Sequence, residues 1–381
     1  MYHNLVSFIR KTFKVEKDFI PLHEPIFVGN ERKYVLDAID STFVSSVGAY
    51  VDKFEKMMCE ITGAKHAVAL VNGTNALHLS LLLAGVEPED EVLTQSLTFV
   101  ATANAISYCN ATSHFVDVDK ETLGLSPSKL EKYLEQIAEV KDGKCYNKVT
   151  GKRIAACVPM HTFGLPLYIV ELVKVCDKYN IPVIEDAAES LGSYYKGKHT
   201  GTFGLIGTFS FNGNKTVTSG GGGAIITNDE SIAKRAKHLS TQAKIAHKWE
   251  YKHDQVGYNY RMPNLNAALA CAQLEQLPFY VENKRELSDL YNDFLSENKE
   301  LLLIREVKDA KSNYWLNAVI LKDKKSRDEF LDFTNSKGIM TRPIWVLMNN
   351  LEMFKDYPKD DLSNSEWLED RVVNITSSVR I

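Results

Sequence analysis

Four consecutive glycines at 220–223 stand between two short apolar runs, and few backbone arrangements accommodate such a segment. Glycine gives up more conformational freedom on folding than any other residue, so a run of four marks close approach or left-handed dihedrals. Ahead of it, Thr208, Phe209, Ser210 and Phe211 alternate as a strand does, and Asn212, Gly213 and Asn214 follow as a turn. Behind it, Ala224, Ile225, Ile226 and Thr227 read as a second strand. Lys215 lies between the two. A lysine held there has the surroundings of a Schiff-base former, because burial or a neighbouring cation frees the amine lone pair. Most lysines are simply solvated, so Lys215 gains weight only from companions elsewhere in the chain.

The 381 residues suffice for two units, each with its own core. With 45 Lys and Arg against 49 Asp and Glu, the formal net charge is -4. That balance carries neither a basic footprint for nucleic acid nor an acidic tail. Six scattered cysteines form no CxxC pair and no His–Cys cluster, which predicts no metal site and a reducing, cytoplasmic setting. No apolar run has the length of a membrane span. Residues 1–13 are amphipathic but lack a small-residue cleavage site, so they are expected as a packed helix or a frayed extension, not a signal peptide.

Strand and helix patterns alternate over about 65–245, which predicts an α/β sandwich with a mainly parallel sheet. The strand candidate at 66–71 runs into Asn72-Gly73-Thr74-Asn75 and then an Ala/Leu-rich helix. Unpaired amides at such a helix start, with the Thr74 hydroxyl, make a phosphate cradle; a plain helix cap is the simpler reading of the same residues. Neither GxGxxG nor GxxxxGK[ST] is present. A second strand candidate, Val183-Ile184, ends in Glu185-Asp186, where open α/β sheets place ligands. The polar stretch 141–153 is expected to be a surface loop. From about 255 the texture changes to a smaller mixture of strands and helices, so the expected units are 1–254 and 255–381.

An anion cradle at Gly73 and Thr74, an acid at Asp186 and a lysine at 215 are together what pyridoxal phosphate requires: amides and hydroxyls for the phosphate, a carboxylate for the ring nitrogen, an amine for the aldehyde. Ser210 offers a further phosphate hydroxyl, and Phe99 a ring for stacking. An α/β domain for another phosphorylated ligand competes with this reading.

Five stretches in combination carry a more specific signal: 72–82 (NGTNALHLSLL), 96–106 (SLTFVATANAI), 185–204 (EDAAESLGSYYKGKHTGTFG), 210–225 (SFNGNKTVTSGGGGAI) and 257–274 (GYNYRMPNLNAALACAQL). With them the chain resembles the DegT/DnrJ/EryC1/StrS aminotransferase family, the sugar aminotransferases of fold type I, over nearly its whole length. The resemblance implies a fold type I α/β architecture: a large α/β/α sandwich with a mainly parallel sheet and a smaller C-terminal α+β domain. It implies pyridoxal phosphate cycling through pyridoxamine phosphate, with Lys215 as the imine-forming residue and proton carrier and Asp186 on the ring nitrogen. Gly73, Thr74 and Ser210 would hold the phosphate and Phe99 would cover the ring. Asn259 would reach the cofactor phosphate of a second subunit, so a homodimer with shared sites is implied.

Glu189 stands where many members carry Gln or His, and a carboxylate there repels the ring phenolate unless protonated or hydrogen-bonded. Relatives that act as dehydratases have His in place of the imine lysine; Lys215 argues against that branch. The family's substrates are nucleotide-linked keto-sugars, usually with L-glutamate as amino donor. The segment 338–349 (GIMTRPIWVLMN) and the N-terminal extension resemble the branch that aminates UDP-4-keto-6-deoxy-N-acetylglucosamine, toward legionaminic acid or bacillosamine-type sugars. Amination at C3, or of a GDP- or dTDP-linked sugar, is the alternative, and a non-catalytic binding homologue lies further off. Trp345 and Arg342 are candidate substrate contacts, with a core tryptophan and a surface ion-pair arginine as the plainer readings; His161 and Arg261 are lesser candidates.

Overall fold

The computed structural model describes residues 2–298 and 300–381. Seven strands form one sheet in the order Thr112–Val116, Glu91–Gln95, Ile154–Val158, Ile184–Asp186, Ile206–Ser210, Gly223–Thr227 and His66–Leu70. Two parallel bridges, Cys157 to Val183 and Met160 to Asp186, join its halves. Only Gly223–Thr227 runs against the rest, so the mainly parallel expectation holds. Near-continuous apolar composition in Ile154–Val158 and Gly223–Thr227 follows from helices covering both faces.

One face packs Val68, Val92, Ile184, Ile206 and Ile225 against the helices Gly73–Leu83, Val100–Tyr108 and Glu230–Ser240. The other packs Ala69, Phe209 and Ala224 on Ala49–Thr62 and Asn264–Glu275. Further along that face, Leu93, Val116 and Cys157 meet Pro127–Ile137 and Ile169–Lys178. The C-terminal ends of the parallel strands therefore open on one edge, and Asn72, Phe99, Asp186 and Ser210 all lie at or just beyond those ends.

A smaller antiparallel sheet orders Leu302–Leu303, Asn317–Ile320, Val372–Ile375 and Arg342–Pro343. The Tyr2–Phe13 helix buries Leu5, Val6 and Ile9 in the same core as Phe330, Val319 and Val373. The Leu277–Leu295 helix spans both units, with Leu277, Tyr280 and Val281 in the large core and Leu287, Tyr291 and Leu295 in the small one. From this packing we propose a division within that helix, with the first helix in the smaller unit, in place of the expected break after 254.

The stretch 141–153 is not the plain loop expected. Ala138–Lys141 and Lys144–Asn147 pair antiparallel about Asp142 and Gly143, whose φ values of 50 and 75 suit a tight hairpin turn. Its polar composition reflects strands that bury few side chains, chiefly Cys145 and Asn147.

Candidate active site

A cavity of about 350 Å³ opens at the C-terminal edge of the large sheet, lined by Gly73, Thr74, Phe99, Asp186, Glu189, Ser210, Lys215, Trp315 and Trp345 among others. Its floor is the start of the Gly73–Leu83 helix. Asn72 caps that helix by accepting from the Asn75 amide at 2.8 Å, and its extended backbone turns the chain into the first helical residue. Gly73 lies so close to the neighbouring strand that a Cβ there would stand 2.8 Å from Ser210 Cβ, and one on Gly223 would stand 2.3 Å from the Asn72 carbonyl oxygen. Part of the glycine run thus serves close approach, which brings Ser210 against the helix start. The Thr74 and Ser210 hydroxyls both line the cavity, next to amides and the positive end of a helix.

Asp186 is 3% exposed. Its Oδ2 accepts from Thr102 Oγ1 at 2.7 Å and its Oδ1 from the Ala188 amide at 3.2 Å. Burial raises its pKa, and these hydrogen bonds and the nearby Lys215 charge oppose the rise. The result is a buried carboxylate held in a fixed position, which favours a cationic partner within the cavity.

Lys215 retains 14% of its side-chain exposure. Its Nζ donates to Glu189 Oε1 at 3.1 Å and stands 3.9 Å from the centre of the Trp315 indole. Glu189 Oε2 accepts from the Phe163 amide at 2.8 Å. Burial pushes the Glu189 pKa up to about 7, with Lys215 pulling the other way. Phe163 has a left-handed φ of 58, and its ring packs 5.1 Å from Trp345. Phe99, 49% exposed, meets the same indole edge-on at 6.2 Å, so the two form one wall of the cavity mouth.

Four expected substrate contacts separate. Trp345 lines the cavity. His161 does not: it is fully buried behind the strand ends, its Nε2 is 3.0 Å from Glu185 Oε2, and its Nδ1 accepts from the Leu167 amide. That corrects its assignment as a substrate contact, since both ring nitrogens are engaged within the core. Arg342 is exposed on the small sheet and Arg261 turns to Asn259, accepted at 3.2 Å by Asn259 Oδ1; neither lines this cavity. Asn259 itself is exposed and also lies outside it.

Sequence reasoning missed Thr102 and Trp315. Thr102 follows Phe99 by one helical turn, a spacing that marks both as belonging to one helix start. Trp315 arrives from a distant segment, and its indole Nε1 donates to the Asn214 carbonyl at 2.7 Å.

These residues fit pyridoxal phosphate. The crowded glycine at a helix start with two flanking hydroxyl residues suits a phosphate, the buried carboxylate suits a protonated ring nitrogen, and Lys215 lines the same cavity. Because burial pushes the Glu189 pKa up to about 7 in the cofactor-free cavity, the indole fluorescence of the cofactor-free protein, with Trp315 beside the Lys215–Glu189 pair, should show a pH-dependent step there. In Glu189→Gln the step should vanish; an unchanged step would assign the titration to another group.

The model of the DegT/DnrJ/EryC1/StrS aminotransferase family matches residues 26–381. The GDP-perosamine synthase of Escherichia coli O157:H7 is 38% identical over 360 residues, covering 94% of this chain and 93% of that protein. The GDP-perosamine synthase of Vibrio cholerae is 37% identical over 338 residues, covering 88% of this chain and 87% of that one. Among solved structures, the aminotransferase TlmJ from Streptoalloteichus hindustanus superposes with a TM-score of 0.85 at 25% identity, covering 94% of this chain and 93% of its own.

Proposed function

The chain belongs to the DegT/DnrJ/EryC1/StrS aminotransferase family, and from that membership we propose that it moves an amino group from L-glutamate to a GDP-linked 4-keto-6-deoxy sugar. It is a pyridoxal phosphate-dependent aminotransferase of fold type I. Similarity to two GDP-perosamine synthases favours a GDP-linked substrate over the UDP-linked N-acetylhexosamine expected from 338–349. The observation that carries the catalytic reading is Lys215 Nζ held by Glu189 at 3.1 Å in a cavity that also contains Asp186 and the Gly73 helix start.

When bound, pyridoxal phosphate supplies an aldehyde for amines to condense with and a cationic ring that takes up the electron pair left by a departing α-proton. In this reading Lys215 would hold the aldehyde, and its Nζ, when free, would be the base that takes the α-proton and returns it on the same face, for glutamate and keto-sugar alike. Asp186 would keep the ring nitrogen protonated, Gly73, Thr74 and Ser210 would hold the phosphate, and Glu189 receives Lys215 when the lysine is free. The exposed Phe99 and Trp345 offer apolar faces to the ring and the sugar.

The proposed active unit is a homodimer in which Asn259 serves the partner's site, consistent with its place outside its own cavity. Six unpaired cysteines, five of them buried, support a reducing cytoplasmic location. Among the described residues no helix is long and apolar enough to cross a membrane.

Incubation with L-glutamate and GDP-, UDP- and dTDP-linked 4-keto-6-deoxy sugars, read by mass spectrometry, should yield aminosugar and 2-oxoglutarate fastest with the GDP-linked compound. Faster turnover of the UDP-linked N-acetylhexosamine would restore the other substrate reading. No aminosugar from any would remove the transamination reading itself.

A further inference from the structure

The segment 258–261 runs extended between the end of the Glu230–Ser240 helix and the end of the His66–Leu70 strand. Its Tyr258 amide donates to the Leu239 carbonyl at 2.7 Å, the Val71 amide donates to the Tyr260 carbonyl at 2.8 Å, and antiparallel bridges join Asn259 to Thr241 and Arg261 to Leu70. Side chains on a strand alternate, so Tyr258 and Tyr260 share one face while Asn259 and Arg261 share the other. The two tyrosine rings stack at 4.9 Å and turn inward onto His78, whose ring centre lies 5.3 Å from Tyr258 and 6.0 Å from Tyr260. The Tyr260 hydroxyl and His78 Nδ1 share a hydrogen bond of 3.0 Å. His78 is 6% exposed, and burial lowers its pKa, so at neutral pH it is an uncharged anchor.

On the outward face, Asn259 Oδ1 accepts from Arg261 Nε at 3.3 Å and Nη2 at 3.2 Å. That occupies the acceptor end of the carboxamide and leaves the NH₂ of an exposed side chain as a donor beside a guanidinium, an arrangement suited to an anion. His78 lies on the same helix, Gly73–Leu83, whose start forms the phosphate cradle of its own subunit. One helix thus serves an anion at its N-terminus and braces, through its side, the arm that presents Asn259 outward.

We propose that His78, with Tyr258 and Tyr260, is a positioning residue that aims Asn259 and Arg261 at the cofactor phosphate of the partner subunit, so that its loss weakens the neighbouring site and spares its own. The inference rests on the shared-site dimer proposed above. The alternative, that His78 merely stabilises its helix, predicts damage in its own subunit instead.

Mixed dimers of the full chain, purified through two different affinity tags, separate these. In one hybrid a His78→Leu chain retaining Lys215 is paired with a Lys215→Ala chain; the sole competent lysine then sits beside an Asn259 from a chain with intact His78. In the other, both substitutions share one chain and the partner is unaltered, so the competent lysine faces an Asn259 whose brace is gone. The readout is the fraction of Lys215 trapped covalently by borohydride across a range of pyridoxal phosphate concentrations. The first hybrid should match a dimer carrying Lys215→Ala alone, and the second should need about tenfold more cofactor. Equal effects in both, an effect confined to the first, or none in either overturns the inference. Tyr260→Phe, which removes only the hydroxyl, should repeat the pattern at smaller size, and stands in if His78→Leu fails to fold. The same hybrids built with Asn259→Ala test the dimer itself: no difference between them removes the shared site, whereas a difference there without one for His78 removes only the brace.

Discussion

Lys215→Ala is expected to lower turnover by about 10⁴-fold or more, because in the proposed function it removes both the amine that would hold the aldehyde and the base that would move the proton. The structure also predicts what should survive. Asp186, Thr74, Ser210 and the Gly73 helix start do not depend on Lys215 for their positions: Asp186 is fixed by Thr102 and Ala188, and Gly73 by its contact with the strand that ends at Ser210. The variant should therefore still bind pyridoxal phosphate, without the absorbance of the lysine-bound form and without covalent trapping by borohydride. Lys215→Arg should behave alike, since a guanidinium neither condenses with the aldehyde nor accepts a proton at neutral pH. Stopped-flow absorbance with glutamate and steady-state assay of aminosugar test both parts. Native-level turnover in either variant would remove Lys215 from the chemistry.

Much of this site was legible because its residues fall at punctuation marks that backbone physics imposes. A parallel sheet covered on both faces reads as separated apolar runs, and the residues just past each run, Asn72, Asp186 and Ser210, necessarily gather on one edge. Gly73 and Gly223 betray themselves through the close approach that excludes a Cβ. What stayed hidden depends on contacts between remote segments. Trp315 lies under the Lys215 amine because Asn313 ties its segment to the Glu189 and Leu191 carbonyls, at 2.9 Å each, and its own indole reaches the Asn214 carbonyl. His161 was a lesser candidate for substrate contact, yet the fold engages its ring with Glu185, whose carboxylate also accepts from the amides of Gly201, Phe203 and Gly204. The hairpin at 138–147 carried its Asp-Gly turn in plain view, but strands that bury so little leave no apolar alternation to accompany it. The substrate is least legible of all, since Trp345, the expected substrate contact that does line the cavity, arrives from a segment whose placement no local pattern prescribes.

Asp186→Asn separates the two halves of the chemistry that Lys215→Ala removes together. Asparagine is nearly isosteric, and its carbonyl oxygen can still accept from Thr102, so the fold and the phosphate cradle should remain. The negative charge is lost, and with it the partner proposed to hold a proton on the ring nitrogen within a buried pocket. The lysine should then still capture the cofactor, with its visible absorbance present, while turnover falls by about 10³-fold, the scale of removing one preorganised charge partner from a developing transition state. Thr102→Val should act in the same direction and far more weakly, by about tenfold, because it withdraws one hydrogen bond from a carboxylate that keeps its charge. The pair has a diagnostic order. If Asp186 works through its charge, the asparagine variant is the worse of the two although it disturbs less packing; if it works only by bracing Thr102 and the Val100–Tyr108 helix, the valine variant is at least as damaging. Single-turnover rates with glutamate, measured alongside the absorbance of the captured cofactor, decide between them.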